Sequence, residues 1–288
     1  MVGPWTPVET LMPELDRPPQ KTFADWDAVA SDMAELIDGT PLNQRPRVVG
    51  ISGSQGSGKS TLARIVVKHL QQCGLGAVVV SLDDFYLTQA QRIELAQTVH
   101  PLLRTRGVPG THDTRWLARV LNAIELADPA EGATLELPIF DKGLDDRIGQ
   151  QQLRCQILVL EGWCVGVHAQ PDVLQPINAL ETREDAHGLW RSWVNDQIRQ
   201  NYEALWNSID YWVQLRPPGF EQVVQWRSEQ EQHIEPDKRM NAKALQRFID
   251  HYERLTRFQW DCAPRRPGLR IELGIDHRVV SVEKLGEG

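Results

Sequence analysis

Gly53-Ser54-Gln55-Gly56-Ser57-Gly58-Lys59-Ser60-Thr61 fits the pattern G-x-x-x-x-G-K-[ST] in full, and it follows directly on the apolar run Arg47-Val48-Val49-Gly50-Ile51-Ser52. Each element of that pattern has a physical task. Glycines let backbone N–H groups wrap a polyphosphate, the lysine reaches the outer phosphates, and the serine hydroxyl can ligate Mg²⁺. From the composition of this chain, a chance match anywhere in it has a probability on the order of a few in a thousand.

The flanks agree with the loop. The run before it is short, β-branched and unbroken, as a buried parallel strand is. After it, Leu62, Ile65, Val66 and Leu70 recur at helical spacing and Gly74 supplies a stop. Strand, glycine-rich turn and helix therefore come in the order that sets an anion at the positive end of a helix dipole. A plain glycine-rich surface turn would require all three to coincide by accident.

The 288 residues suffice for one large α/β domain with a sizeable core. A formal charge of −8 and a pI near 5.5 argue against broad attraction to nucleic acid or to an anionic membrane surface, so a small molecule is the expected partner. Cys73, Cys155, Cys164 and Cys262 show no C-x-x-C and no zinc spacing, and read as reduced thiols. No stretch approaches the roughly twenty apolar residues of a membrane span, and the start of the chain, with Pro4, Pro7, Pro13, Pro18 and Pro19, lacks a signal-peptide pattern. The expectation is a cytoplasmic protein with no obligate protein partner.

Residues 1 to about 22 read as a proline-rich arm, followed by an amphipathic helix carrying Trp26, Val29, Met33, Leu36 and Ile37 and ending near Gly39. Residues 1–45 thus precede the nucleotide fold of 46–288. A second strand, Ala77 to Leu82, runs into Asp83, Asp84, Phe85 and Tyr86. A polar loop with Arg104 and Arg106 leads to Thr111-His112-Asp113 and a helix on Trp116, Leu117, Val120, Leu121 and Ile124, which Asp113 can cap. Leu137 to Phe140 is a short segment turning into the charged loop Asp141-Lys142-Gly143-Leu144-Asp145-Asp146-Arg147, and Ile157 to Leu160 is a buried strand ending in Glu161-Gly162-Trp163. Farther on come helical packing over Trp190 to Trp206, a strand at Ile209 to Leu215, a polar helix at 220–235, a helix near 242–257 and a hairpin, Leu269 to Leu273 and Arg278 to Val282. This alternation predicts a three-layer α/β fold of the P-loop type, with a mainly parallel sheet, an N-terminal helical extension, a helical lid at 216–240, and ligands at the carboxyl ends of the parallel strands.

Phosphoryl transfer needs nucleophile, phosphorus and leaving oxygen in line, with negative charge neutralised by Lys, Mg²⁺ and Arg. Lys59 is the candidate for the outer phosphates of ATP, Ser60 for Mg²⁺, and Glu161, ending its strand, for a second contact to the metal or its waters. Asp83 is the candidate general base; one of Asp83 and Asp84 can instead cap the next helix or order the loop. Arg106, Lys142 and Arg147 suit an anionic acceptor, or are solvated loop charges. The stretch 225–231, with Arg227, and Lys238-Arg239 form either a lid that brings an arginine to the phosphoryl group or an exposed charged helix. Cys164 reads as a buried packing residue.

GSQGSGKST, SLDDFYLT at 81–88, RGVPGTHD at 106–113, LPIFDK at 137–142, LVLEGWCVG at 158–166 and VVQWRSEQE at 223–231 together resemble the plant-type D-glycerate 3-kinase family, relatives of uridine kinase, phosphoribulokinase and pantothenate kinase. The resemblance spans most of 47–260. It implies an ATP- and Mg²⁺-dependent small-molecule kinase, with Asp83 as base, Glu161 at Mg²⁺ and Arg227 near the lid; Asp84, Tyr86, Arg106, His112, Asp113, Asp141, Lys142 and Arg147, on or beside the charged loops, are the candidates for contact with the acceptor. D-glycerate is then the first candidate acceptor; pantothenate, nucleosides and sugar phosphates are the alternatives. One departure stands out: plant members carry a serine after the Asp-Lys pair and a longer stretch before Asp-Arg, whereas here Gly143 follows Lys142 and the Asp145-Asp146-Arg147 group comes early. A nucleotide-dependent switch is the reading from another class; the chain has no N-K-x-D signature to support a guanine-reading form of it.

Overall fold

The structure is a computed structural model and describes residues 23–233, 239–262 and 266–286. The predicted arm over 1–22 and Lys238 in the predicted lid lie outside the described residues.

Strand β1 (Val48–Gly53) occupies the middle of a six-stranded sheet whose spatial order is β2 (Ala77–Ser81), β5 (Ile157–Gly162), β1, β6 (Tyr211–Arg216), β7 (Gly268–Leu273) and β8 (Val279–Leu285). The first five run parallel, and β8 returns antiparallel to β7 as the predicted hairpin. Side chains alternate across the sheet. Val48, Leu158, Leu160 and Trp212 enter one apolar layer, together with α4 (Thr114–Leu126). Val49, Ile51, Ile157, Val159 and Val213 enter the other, together with α1 (Phe23–Gly39) and α2 (Lys59–Gln72). With both faces covered, every residue of β1 and β5 is buried, which is why these strands read as unbroken apolar runs.

Helix α1 shares this core. Trp26, Ala30, Met33, Ala34 and Ile37 belong to the same cluster as Leu62, Val66 and Leu70 of α2. Burying a Met, Ile, Leu or Val side chain contributes about 1.5–3 kcal/mol.

Two elements differ from the sequence expectation. The short segment before the charged loop is a full hairpin, β3 (Ala133–Asp141) paired antiparallel with β4 (Asp146–Cys155) and separate from the main sheet. Strand β4 gives little apolar signal because Gln150, Gln151 and Gln152 face water. The polar loop after Tyr86 contains α3 (Gln89–Thr98), started by a reciprocal capping box between Thr88 and Gln91. The remaining helices are α5 (Ala179–Glu184), α6 (Leu189–Gln197), α7 (Phe220–Gln232) and α8 (Ala242–Asp261). No helix among the described residues is long and apolar enough to cross a membrane.

Candidate active site

The predicted phosphate loop leaves the carboxyl end of β1 and enters α2 at Lys59, with Gly58 as N-cap in the left-handed region. Gly56 (φ +77°) and Gly58 (φ +88°) both need that conformation, which costs other residues roughly 1–2 kcal/mol. Space is also short. A Cβ at Gly56 would come within 2.8 Å of Trp226 Cβ, and one at Gly58 within 2.7 Å of the Trp26 ring. Two tryptophans from α7 and α1 thus back the loop. Inside it, Ser57 Oγ donates to Ser54 O at 2.8 Å and Ser57 N–H to the same oxygen at 3.2 Å, while Gly53 leaves room for the Ser57 hydroxyl, 2.5 Å from where a Cβ would stand. Gln55 is half-buried, as are Lys59, Ser60 and Thr61 in the first turn of α2.

Parallel register brings the carboxylates to this end of the sheet. Glu161 on β5 pairs with Ile51 on one side and Ser81 on the other, so it stands between the phosphate-loop strand and the strand that leads to Asp83. It is buried, and its Oε2 has no hydrogen-bond partner. The Ser54 hydroxyl is likewise buried without a partner. No group of three or more His, Cys, Asp or Glu side chains among the described residues could hold a metal unaided. A buried carboxylate with an unpaired oxygen beside a phosphate loop fits Mg²⁺, which is usually bound by one or two carboxylates together with substrate phosphates.

Asp83 and Asp84 lie in a 3₁₀ turn, Leu82–Phe85, capped by Ser81. Neither caps α3; Thr88 does that. Asp83 Oδ1 accepts from the Tyr86 hydroxyl at 2.8 Å and Oδ2 from Lys142 Nζ at 2.9 Å. Burial pushes the Asp83 carboxyl up, but Lys142 and Lys59, with the two hydrogen bonds, outweigh it and hold the group well below the usual range. Asp84 goes the other way: burial and the neighbouring charges of Asp83 and Glu161 push it up to about 7, against Lys142. Near neutrality Asp83 is therefore ionised, whereas Asp84 is only partly so.

Around them, the loop at 106–113 and the β3–β4 turn meet. Tyr86 stacks on His112 with centroids 4.6 Å apart and meets Phe140 edge-on. Tyr202 Oη accepts from Gly110 N–H and hydrogen-bonds His112 Nδ1, both at 2.8 Å, which holds the imidazole in place. Burial pushes His112 down to about 4, so it is neutral. Asp113 caps α4 through Trp116 N–H and pairs with Arg147 at 3.5 Å. Arg147 also donates to Tyr86 O at 2.9 Å and lies over the Trp116 ring. Asp141 closes the turn by accepting from Gly143 and Leu144 N–H. Arg106 pairs with Asp145, donates to Lys142 O at 3.3 Å and lies over Phe140. Arg227, on α7, pairs with Glu231 at 2.7 Å and lies over Phe248.

Sequence reasoning missed Arg92, Tyr202 and Tyr252. Arg92, 1% exposed, donates to Leu87 O, Arg104 O and Asp145 O, tying three loops together. Tyr252 from α8 donates to Arg106 O at 3.1 Å. No local pattern announces such long-range partners.

The family model described as Zeta toxin matches residues 32–88, the stretch that carries the phosphate loop and Asp83. Over 251 residues the chain is 34% identical to mug58 of Schizosaccharomyces pombe, described as an uncharacterized kinase; the match covers 80% of this chain and 87% of that protein. It belongs to the D-glycerate 3-kinase-like family of P-loop kinases. The chloroplastic D-glycerate 3-kinase of Arabidopsis thaliana is 27% identical over 241 residues, covering 78% of this chain and 50% of that protein. The solved structure of D-glycerate 3-kinase from Cryptococcus neoformans superposes with a TM-score of 0.67 at 26% identity, covering 92% of this chain and 98% of that one. The chain is thus a P-loop small-molecule kinase, and the three-layer fold with its mainly parallel sheet is that of the class.

Proposed function

We propose that this kinase transfers the terminal phosphoryl group of ATP to a hydroxyl of a small anionic metabolite, with D-glycerate, giving 3-phosphoglycerate, as the first candidate. The observation that carries the reading is Asp83, an ionised carboxylate bonded to Tyr86 and Lys142, at the junction of the Lys59 loop with the turns at 106–113 and 141–147. In this reaction the acceptor hydroxyl attacks the γ-phosphorus and gives its proton to Asp83 as the O–P bond forms and the bond to ADP breaks. Lys59 and Lys142 neutralise charge on the transferring group, and Arg227 does so once it leaves Glu231. Ser60 and Glu161 would hold Mg²⁺, which supplies charge neutralisation on the phosphate oxygens when bound. Lys142 and Arg106 would receive the acceptor's anionic group, with His112 and Tyr86 forming the wall beside it. The four unpaired cysteines support a cytoplasmic setting.

The test is ADP release over a panel of D-glycerate, other hydroxy acids, pantothenate, nucleosides and sugar phosphates. Turnover that depends on D-glycerate supports the first candidate, and dependence on another member reassigns the acceptor. Turnover that no acceptor stimulates would sink the transferase reading.

A further inference from the structure

The turn between β7 and β8 reaches back across the molecule to the phosphate loop. His277 sits on it in the left-handed region at φ +63°, one of two non-glycine residues with positive φ among the described residues, the other being Asp145 of the acceptor-side turn. Such backbone is costly for an ordinary side chain and persists where surrounding contacts hold it. The contacts here are specific. His277 Nε2 lies 2.8 Å from Gly56 O, and because a carbonyl only accepts, Nε2 carries the proton. The imidazole stacks on Trp226, centroids 4.1 Å apart and planes at 22°. Trp226 Nε1 donates to Ile275 O at 3.0 Å, and Trp26 Nε1 donates to His277 O at 2.8 Å. The two tryptophans that limit the space at Gly56 and Gly58 therefore also hold the His277 turn in place.

The consequence reaches the phosphate site through peptide geometry. A trans peptide points its C=O and N–H in opposite directions, so anchoring the Gly56 carbonyl sets the direction of the Ser57 N–H, which closes on Ser54 O. Burial lowers the affinity of His277 for a second proton, against Gly56 O, Glu229 and Asp276, and keeps the ring a neutral donor. We propose that His277 is a positioning residue for nucleotide binding: its Nε2–H holds the Gly56 carbonyl, and with it the phosphate-loop backbone, in the conformation that receives the phosphates. The inference rests on the reading of residues 53–61 as an ATP loop.

Three substitutions separate the donor from the stack. His277→Phe keeps the ring on Trp226 and removes the N–H. His277→Asn tolerates positive φ but is too short to reach Gly56, and serves if the Phe variant does not fold. His277→Gln retains a donor of the right reach. Calorimetric titration of the full chain with the Mg²⁺ complex of adenylyl imidodiphosphate should show about three- to tenfold weaker binding for Phe and Asn, the loss of one net hydrogen bond, and binding within about twofold of wild type for Gln. In turnover, KM for ATP should rise while KM for the acceptor stays. Wild-type affinity in Phe and Asn, or equal loss in Gln, would overturn the assignment. No binding by the wild-type chain would instead overturn the nucleotide reading, and the inference with it.

Discussion

Replacing Asp83 by Asn removes one charge and keeps the shape of the side chain. In the wild type both carboxylate oxygens accept, one from Tyr86 at 2.8 Å and the other from Lys142 at 2.9 Å. An Asn that turns its oxygen to Lys142 presents Nδ2 to the Tyr86 hydroxyl, which can accept, so the local packing survives. The cost to folding is small. The Lys142 side chain is 59% exposed, and pairs so exposed contribute only about 0.2–1 kcal/mol. The cost to transfer is much larger, because a positioned base contributes about 10²–10⁴-fold, or roughly 2.7–5.5 kcal/mol of barrier. With ADP release measured at saturating ATP and acceptor, kcat should fall by at least about 100-fold while KM for ATP stays within about twofold. The Tm should move by less than about 4 °C. Transfer within about threefold of wild type would refute the assignment of the base to Asp83.

Two further predictions use the other carboxylates. Asp84 is raised from 3.8 to about 7, so its proton is held more tightly in the folded chain; that stabilisation is full below about pH 3.8 and lost as pH rises through 7. Between pH 4 and 7 the Tm of wild type should therefore fall relative to Asp84→Asn, by the equivalent of about 3 kcal/mol, and parallel Tm curves would refute it. Glu161→Gln removes a buried charge whose Oε2 lacks a partner, and should raise the Tm of the metal-free protein by about 2–4 °C while transfer is largely lost and the Mg²⁺ requirement rises. A lower Tm, or full activity at wild-type Mg²⁺, would count against Glu161 as the metal contact.

How much of this was legible depends on where each side chain points. The strands β1 and β5 announce themselves because both faces are covered, and the loop between β1 and α2 because its chemistry tolerates few residues. Asp113 as a cap was readable from its place before an apolar periodicity, and the structure bears that out. Strand β4 was not, since alternation vanishes when Gln150 to Gln152 face water, and α3 offers only its capping box. Arg92 donates to Asp145 across 53 residues and Tyr202 meets His112 across 90, and no window along the chain contains both partners. Arg106 and Arg147 read as acceptor ligands by charge alone. The fold gives each an internal acid, Asp145 and Asp113, which charge counting does not foresee.

The short turn after Lys142 ties these points together. Asp141 closes it, Asp145 adopts positive φ within it, and Arg92 and Arg106 both hold Asp145, so the turn is pinned and Lys142 extends from a fixed base. Lys142 then rests on Asp83. In that arrangement the carboxylate is ionised but a poor proton acceptor, because Lys142 is the strongest influence opposing burial there. An anionic acceptor that draws Lys142 to itself restores the basicity of Asp83 as the acceptor hydroxyl arrives, whereas water brings no charge to draw it away. On the proposed reading the pair therefore suppresses ATP hydrolysis in the absence of acceptor. Lys142→Met lets burial raise the Asp83 carboxyl at all times and should lower transfer, since a charge on the phosphoryl group is lost, while raising the ratio of acceptor-independent hydrolysis to transfer by about tenfold, a change of about 1.4 kcal/mol between the two barriers. The ratio is read from ADP release with and without acceptor. If transfer and hydrolysis fall together, Lys142 serves the phosphoryl group alone and its contact with Asp83 holds nothing back.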